Sequence, residues 1–173
     1  MKIKDKNIVI TGGASGIGKA MAESFSHHKA NSIVVVDINE SLLNETRKDI
    51  DAIPIVADVS NENEILRIID IAKERVGNID IFCSNAGIGG APGLINTSQE
   101  DWQTIWQVNV MSHIYAAKHL IPSMIKQGGG YLVNTASAAG LLTQIGSAGY
   151  SVTKSAAISF AEWLKITYGE RGI

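Results

Sequence analysis

The chain has 173 residues, of which 45% are hydrophobic and 18% charged, with a formal net charge of -2. That length suits one domain with a genuine core and is too short for two comfortable ones, and the 15 basic residues form no dense run that would mark a nucleic-acid or anionic-membrane partner. Cys83 is the single cysteine, so an intrachain disulfide framework is excluded, and with no cleavable leader after Met1 and no apolar stretch of ~18 residues a cytoplasmic protein is expected.

Taken in order, short β-branched runs alternate with longer amphipathic stretches. Ile8-Val9-Ile10 reads as the first strand and is followed by helical periodicity over 17–29. Ile33 to Val36 is the second strand, with a helix at 40–49; Ile53 to Val56 is the third, with a helix at 61–75. Ile79 to Cys83 is the fourth, ahead of a long helix over 101–127, and Tyr131 to Asn134 is the fifth, ahead of a helix from about Tyr150 to Tyr168. Ser60 before Asn61-Glu62-Asn63 and Ser98 before Gln99-Glu100-Asp101 signal helix starts, because acidic side chains favour the positive end of the helix dipole. Gly77 and Gly128-Gly129-Gly130 signal helix stops.

Strands apolar on both faces and separated by helices imply a parallel sheet covered on both sides. Right-handed crossovers then give an α/β, doubly wound sheet with strand order 3-2-1-4-5, in a single domain spanning 1–173. The last helix runs out at Gly169-Glu170-Arg171-Gly172-Ile173, where such a fold normally proceeds to another strand. The fifth strand would then be an exposed edge, and a chain lacking its C-terminal portion is expected.

Thr11-Gly12-Gly13-Ala14-Ser15-Gly16-Ile17-Gly18 follows the first strand directly and opens the first helix. Glycines there let the backbone turn tightly and approach a pyrophosphate, while the helix N-terminus offers unpaired N–H groups. The spacing is G-x-x-x-G-x-G, a relative of the dinucleotide fingerprint G-x-G-x-x-G, and a strand-to-helix turn with no ligand is the alternative. A P-loop is excluded, since Gly18-Lys19 is followed by Ala20 and not by serine or threonine. Asp37 closes the second strand about 20 residues on, where its carboxylate would accept from an adenosine ribose and repel a 2′-phosphate. No arginine follows it and neither Ala14 nor Ser15 is basic, so NAD is expected over NADP. Asp37 could equally cap the helix beginning near Asn39. Asp58-Val59 at the end of the third strand could hold an adenine ring or cap a helix, and Asn85-Ala86-Gly87 ends the fourth strand. These motifs all fall at strand C-terminal ends, where open α/β sheets bind ligands.

Tyr150 and Lys154 lie at i and i+4 of one helix and so share a face. A cation beside a phenol favours the phenolate, and such a tyrosine can take a proton from an alcohol or return it to a carbonyl. Ser137 follows the fifth strand and could hydrogen-bond a substrate oxygen as charge develops on it. A surface Tyr/Lys pair at helical spacing is the plain alternative.

Thr11 to Gly18, Asn85-Ala86-Gly87, Asn109, Ser137 and Tyr150-Ser151-Val152-Thr153-Lys154 together resemble the short-chain dehydrogenase/reductase family, in order and over the whole chain. The resemblance implies a Rossmann-like fold and an NAD-dependent oxidoreductase moving a hydride between NAD(H) and a secondary alcohol or ketone. It implies Tyr150 as proton donor and acceptor, Lys154 as ribose ligand and activator, Ser137 as the group polarising substrate, and Asn109 as holder of a relay water. The residues alone favour a buried polar residue satisfied within its helix bundle for Asn109. The family's usual Asn-Asn-Ala-Gly stands here as Ser84-Asn85-Ala86-Gly87, and the segments with which relatives close over substrate are absent from the sequence. The alternative reading is therefore a nucleotide-binding or assembly module without turnover. The resemblance also implies a homo-oligomer, dimer or tetramer, formed through the fourth and fifth helices.

His27-His28, His113 and His119 lack metal-ligand spacing, and no G-x-S-x-G elbow marks a serine hydrolase. Trp102 and Trp106 share a helix face and read as packing residues. The small, apolar stretch Ile88 to Ile95, with Leu141-Leu142, is expected to border a pocket for a small-molecule substrate with an apolar portion.

Overall fold

Parallel strands β1 (Asn7–Thr11), β2 (Ser32–Asp37), β3 (Ala52–Val56), β4 (Ile81–Ser84) and β5 (Tyr131–Asn134) form one sheet in the computed structural model, which describes residues 2–173. Their order is β3-β2-β1-β4-β5. Alternation along each strand divides the core in two. Val9, Val34, Val36 and Phe82 point to one face, where they meet Ile65, Ile68, Ile69 and Ala72 of α3 (Glu62–Val76) and Ala116, Leu120 and Met124 of α5 (Ser112–Lys126). Ile8, Ile10, Ile33, Val35, Ile81 and Cys83 point to the other, against Ala22 of α1 (Gly16–His27) and Leu43 of α2 (Glu40–Asp49). Each fully buried aliphatic side chain contributes about 1.5–3 kcal/mol, so the near-continuous apolar strands hold both helical layers to the sheet.

The edges differ in kind. Pro54 lacks an N–H and is tolerated because β3 is an edge that pairs with β2 alone. The far edge, β5, leaves Tyr131 and Val133 exposed. After β3 the chain crosses over β2 and β1 to lay β4 beside β1, with Ile8, Val9 and Ile10 opposite Ile81, Phe82 and Cys83. That reversal opens a crevice at the carboxyl ends of β1 and β4.

Several boundaries differ from those the sequence suggests. The long helix expected over 101–127 starts at Gln99 and is interrupted: α4 (Gln99–Trp106) passes into a π turn at Gln107–Met111 before α5 begins. The Ser112 N–H reaches Gln107, and the Val108 carbonyl is taken by the Ser112 hydroxyl at 2.6 Å. Asn109 lies within this turn and in the interior. The cap of α3 is Asn61, which accepts from Asn63 N–H, and not Ser60. Ser98 and Asp101 form a reciprocal capping box on α4. Ile79 is buried but precedes β4. A short helix, α6 (Ala139–Leu142), and the start of α7 (Ala148–Tyr168) just before Tyr150 complete the fold. Trp106, expected to pack, is partly exposed at 38%.

Candidate active site

The loops leaving the carboxyl ends of all five strands enclose one cleft of about 890 Å³. At its β1 end the turn closes by steric necessity. Gly12 has φ +62°, and a Cβ there would stand 2.8 Å from the Ala86 Cα; a Cβ on Gly18 would fall 2.0 Å from the Gly12 carbonyl oxygen. Gly16 is different. It has φ +51° and nothing within 4 Å of a would-be Cβ, so its backbone faces open space at the start of α1. The α1 N-cap, Ser15, makes no side-chain capping bond, which leaves the first N–H groups of that helix without a side-chain acceptor. Gly12, Ser15, Gly16 and Ile17 line the cleft, whereas Gly18 lies behind the wall and serves the packing of turn against helix.

Asp37 lines the cleft beside this turn, its carboxylate accepting from Ala14 N–H at 3.2 Å and Asn39 N–H at 3.1 Å. It therefore does not cap α2. Asn39 does, by accepting from Leu42 N–H. Asp58 and Val59 line the wall beyond, with Asp58 accepting from Ser60 N–H in a local turn rather than capping α3. Among the described residues Lys154 is the one basic side chain on the lining, at the opposite end of the cleft from both carboxylates.

Asn85, Ala86 and Gly87 also line the cleft, but the Asn85 side chain is fully engaged. Its amide donates to the carbonyls of Thr11 at 3.0 Å and Gly12 at 3.2 Å, and its Oδ1 accepts from the Thr135 hydroxyl at 3.0 Å. Thr11 answers from the other side: its hydroxyl accepts from the N–H groups of Asn85 and Ala86 and donates to the Cys83 carbonyl. These bonds clamp β1, β4 and β5 together where the cleft begins.

At the other end, Tyr150 and Lys154 sit on the first two turns of α7, with Lys154 Nζ 5.7 Å from the centroid of the Tyr150 ring. Lys154 is 3% exposed, and its ammonium donates to the Thr135 carbonyl at 2.9 Å. Burial holds this ammonium below the usual lysine range. Gly87 leaves room for it, since a Cβ there would approach Nζ to 3.3 Å. Ser137 precedes α6 and accepts from Ala139 N–H at 3.2 Å, so its own O–H is directed elsewhere. Ser137, Tyr150 and Lys154 share the cleft with the glycine turn.

Asn109 does not line the cleft. It is fully buried, with its amide donating to the Ile88 carbonyl at 2.9 Å and to Thr153 Oγ1 at 3.1 Å, and its Oδ1 accepting from Ile88 N–H at 2.9 Å. All its side-chain hydrogen-bonding groups are thus used in pinning the post-β4 loop to the π turn and α7. Thr135, Ala136, Val108, Gln144, Ala57 and Ile38 line the cleft without having been singled out in the sequence. Thr135 was legible only as the residue between the fifth strand and Ser137.

The short chain dehydrogenase family model matches residues 6–173. A CLA biosynthesis dehydrogenase/reductase of Lactiplantibacillus plantarum is 36% identical over 92% of this chain and 57% of its own length. The crystal structure of a short chain dehydrogenase/reductase from Burkholderia phymatum in complex with NAD superposes with a TM-score of 0.94 at 31% identity, covering 99% of this chain and 63% of that one. The 3-ketoacyl-(acyl-carrier-protein) reductase of Brucella melitensis, complexed with NADH, has a TM-score of 0.94 at 28% identity, covering 99% and 72%. The chain thus spans less than two thirds of the length of the first two of these relatives. From β1 to its last residue, the chain belongs to the short chain dehydrogenase family.

Proposed function

We propose that this chain is a single dinucleotide-binding and catalytic domain of an oxidoreductase, acting between NAD(H) and a secondary alcohol or its ketone. One observation carries the reading: Ser137, Tyr150 and Lys154 open onto the same cleft as an uncapped helix N-terminus and a glycine backbone with open space above it. The residues present suit the dinucleotide. Gly12, Ser15, Gly16 and Ile17 would hold the pyrophosphate, Gly18 allowing the close turn; Asp37 would take the adenosine ribose, and Asp58 and Val59 the adenine. Asn85, Ala86 and Gly87 would form the floor under the nicotinamide end, and Lys154 would reach its ribose. Asp37 and Asp58, with no lysine or arginine near them on the lining, favour NAD over NADP on charge alone.

A bound nicotinamide supplies the hydride acceptor or donor. The rest is the work of this chain. Ser137 donates a hydrogen bond to the substrate oxygen, and Tyr150 takes the proton from the alcohol or returns it to the carbonyl. Lys154, held charged against the Thr135 carbonyl, stabilises the phenolate form of Tyr150. Asn109 acts on this set by fixing the Ile88 loop and α7 relative to each other.

NADH fluorescence titration followed by a panel of alcohols and ketones tests the proposal. Tyr150→Phe should lower turnover by about 10²-fold or more while NADH affinity changes little, since only proton transfer is removed. Binding of NADH without turnover of any alcohol or ketone would leave a nucleotide-binding module; parallel loss of binding and turnover in Tyr150→Phe would overturn the role given to that residue.

A further inference from the structure

Five large aliphatic side chains stand exposed on the two segments that frame the catalytic end of the cleft. Leu94, Leu141 and Leu142 are 62%, 75% and 79% exposed, and Ile95 and Ile145 are almost wholly so. These segments also supply Ile88, Gly89, Ser137 and Gln144 to the cleft lining. They are organised, not loose. Gly93 N–H donates to the Gly146 carbonyl at 2.8 Å, the Ser147 hydroxyl to the Gly89 carbonyl at 3.0 Å, and the Ser155 hydroxyl to the Gly140 carbonyl at 2.8 Å. The first two bonds tie the loop after β4 to the one before α7, and the third ties α6 to α7.

From Asn85 through Ser98, and from Thr135 through Tyr150, neither segment carries an aspartate, glutamate, lysine or arginine. A phosphate or carboxylate handle on a substrate would find no cation on this rim. Lys154, the nearest, is buried and bonded to the Thr135 carbonyl. Side chains of this size are normally withdrawn from water, and an exposed group of them beside a reaction centre marks the place of an apolar ligand.

Resting on the reading of the cleft as a carbonyl and alcohol site, we infer that the substrate is an uncharged ketone or secondary alcohol with an extended apolar body. Its oxygen lies at Ser137 and Tyr150, and its hydrocarbon portion lies on the rim formed by Leu94, Ile95, Leu141, Leu142 and Ile145. Carrier-bound acyl thioesters, whose phosphate-bearing arms need cationic partners, are disfavoured substrates, in contrast to what the name of the Brucella melitensis relative says of that protein.

The test compares 2-butanone, 2-octanone, 7-oxooctanoate and acetoacetyl-coenzyme A in NADH oxidation. The same ketones are titrated by calorimetry in the presence of NAD+, where no reaction can occur, and in its absence. Each methylene buried is worth about fourfold, so 2-octanone should exceed 2-butanone by about tenfold or more in affinity and in kcat/KM even on a partly open surface. 7-Oxooctanoate, of equal length with a charged end, should fall at least about tenfold below 2-octanone. Leu142→Asp and Ile145→Asp should each collapse the octanone-to-butanone ratio. Ile166→Asp, about four turns further along α7, should keep it.

A flat length series, or 7-oxooctanoate or acetoacetyl-coenzyme A preferred to 2-octanone, would overturn the inference. So would a retained ratio in both rim variants, or a rim variant whose sole effect is a change in sedimentation, which would make the rim a contact between copies. Length-dependent binding without turnover of any ketone would uphold the apolar site and remove the proposed function. Turnover without length dependence would do the reverse.

Discussion

The ammonium of Lys154 lies 5.7 Å from the centre of the Tyr150 ring while donating to the Thr135 carbonyl at 2.9 Å. One charge is thereby held against the phenol by a bond to the end of β5, independently of any ligand. Lys154→Met keeps most of the volume and removes the charge. It should lower kcat/KM by about 10²-fold, and it should raise the KM for NADH as well, which Tyr150→Phe should not. Because burial holds Lys154 below the ordinary lysine range, the wild-type rate should fall on the alkaline side at a lower pH than an exposed lysine would give. A steady-state pH profile of both proteins reads this directly. A profile in which Lys154→Met keeps the wild-type alkaline limb would assign that limb to another group.

On the proposed reading Asp37 takes the adenosine ribose, where a 2′-phosphate would have to sit, and its neighbour on the cleft wall is the exposed Ile38. Asp37→Ser combined with Ile38→Arg should shift the ratio of NADPH to NADH affinity by about tenfold or more toward the phosphorylated cofactor, since a repulsive charge is replaced by an attractive one. The double variant should also lose about 1 kcal/mol of stability, because the bonds from Ala14 and Asn39 N–H lose their charged acceptor. Fluorescence titration with both cofactors measures the ratio. No change in it would mean that the ribose end lies elsewhere.

The side chain of Asn109 joins Ile88 and Thr153 through three hydrogen bonds in a fully buried position. Asn109→Leu should therefore destabilise the protein by about 2–4 kcal/mol, a fall in melting temperature of roughly 5–15 °C for a chain of this size. Activity should decline with loop order, not independently of it. A variant that melts like wild type and yet turns over a hundredfold more slowly would favour the relay role that the family resemblance implies for this residue.

Strand order, the gathering of the motifs at strand carboxyl ends around one cleft and the Tyr150/Lys154 face were all legible, because they follow from period, spacing and crossover handedness. What was hidden is what depends on tertiary partners. Asn85 reads as ligand-facing in the motif, yet its side-chain polar groups are used by the protein itself, whereas the burial of Asn109 is what the residues alone favour. The residues offer Asp37 as the cap of α2, and only the fold turns it back toward Ala14 and gives the cap to Asn39. The π turn at Gln107–Met111 has no signature in composition. Thr135 is an ordinary strand-end residue until Asn85 and Lys154 arrive from 50 residues upstream and 19 downstream.

His113 reads in the sequence as an ordinary helix histidine, yet it is 1% exposed and its Nδ1 lies 2.8 Å from Asn134 Oδ1. Because that oxygen can only accept, Nδ1 carries the hydrogen, and Nε2 is buried without a partner among the described residues. Desolvation pushes its pKa down to about 4 from 6.5, against the raising effect of the Asn134 bond and with a smaller lowering effect from Lys154. The unfolded imidazole takes up a proton as pH falls through 6.5 and the folded one only near 4, so the unfolded state binds more protons between those values. Stability from this group is fully present above pH 6.5 and is lost progressively as pH falls toward 4, by about 3 kcal/mol in all. Urea unfolding of wild type and His113→Gln at steps between pH 7 and pH 4 isolates the effect, because the carboxylates common to both proteins cancel in the difference. The variant should be the less stable at pH 7, where it loses a fitted buried bond, and the gap should narrow or reverse toward pH 4. A gap that stays constant across that range would mean that His113 already carries its proton in the folded state, with water reaching the Nε2 that here has no partner.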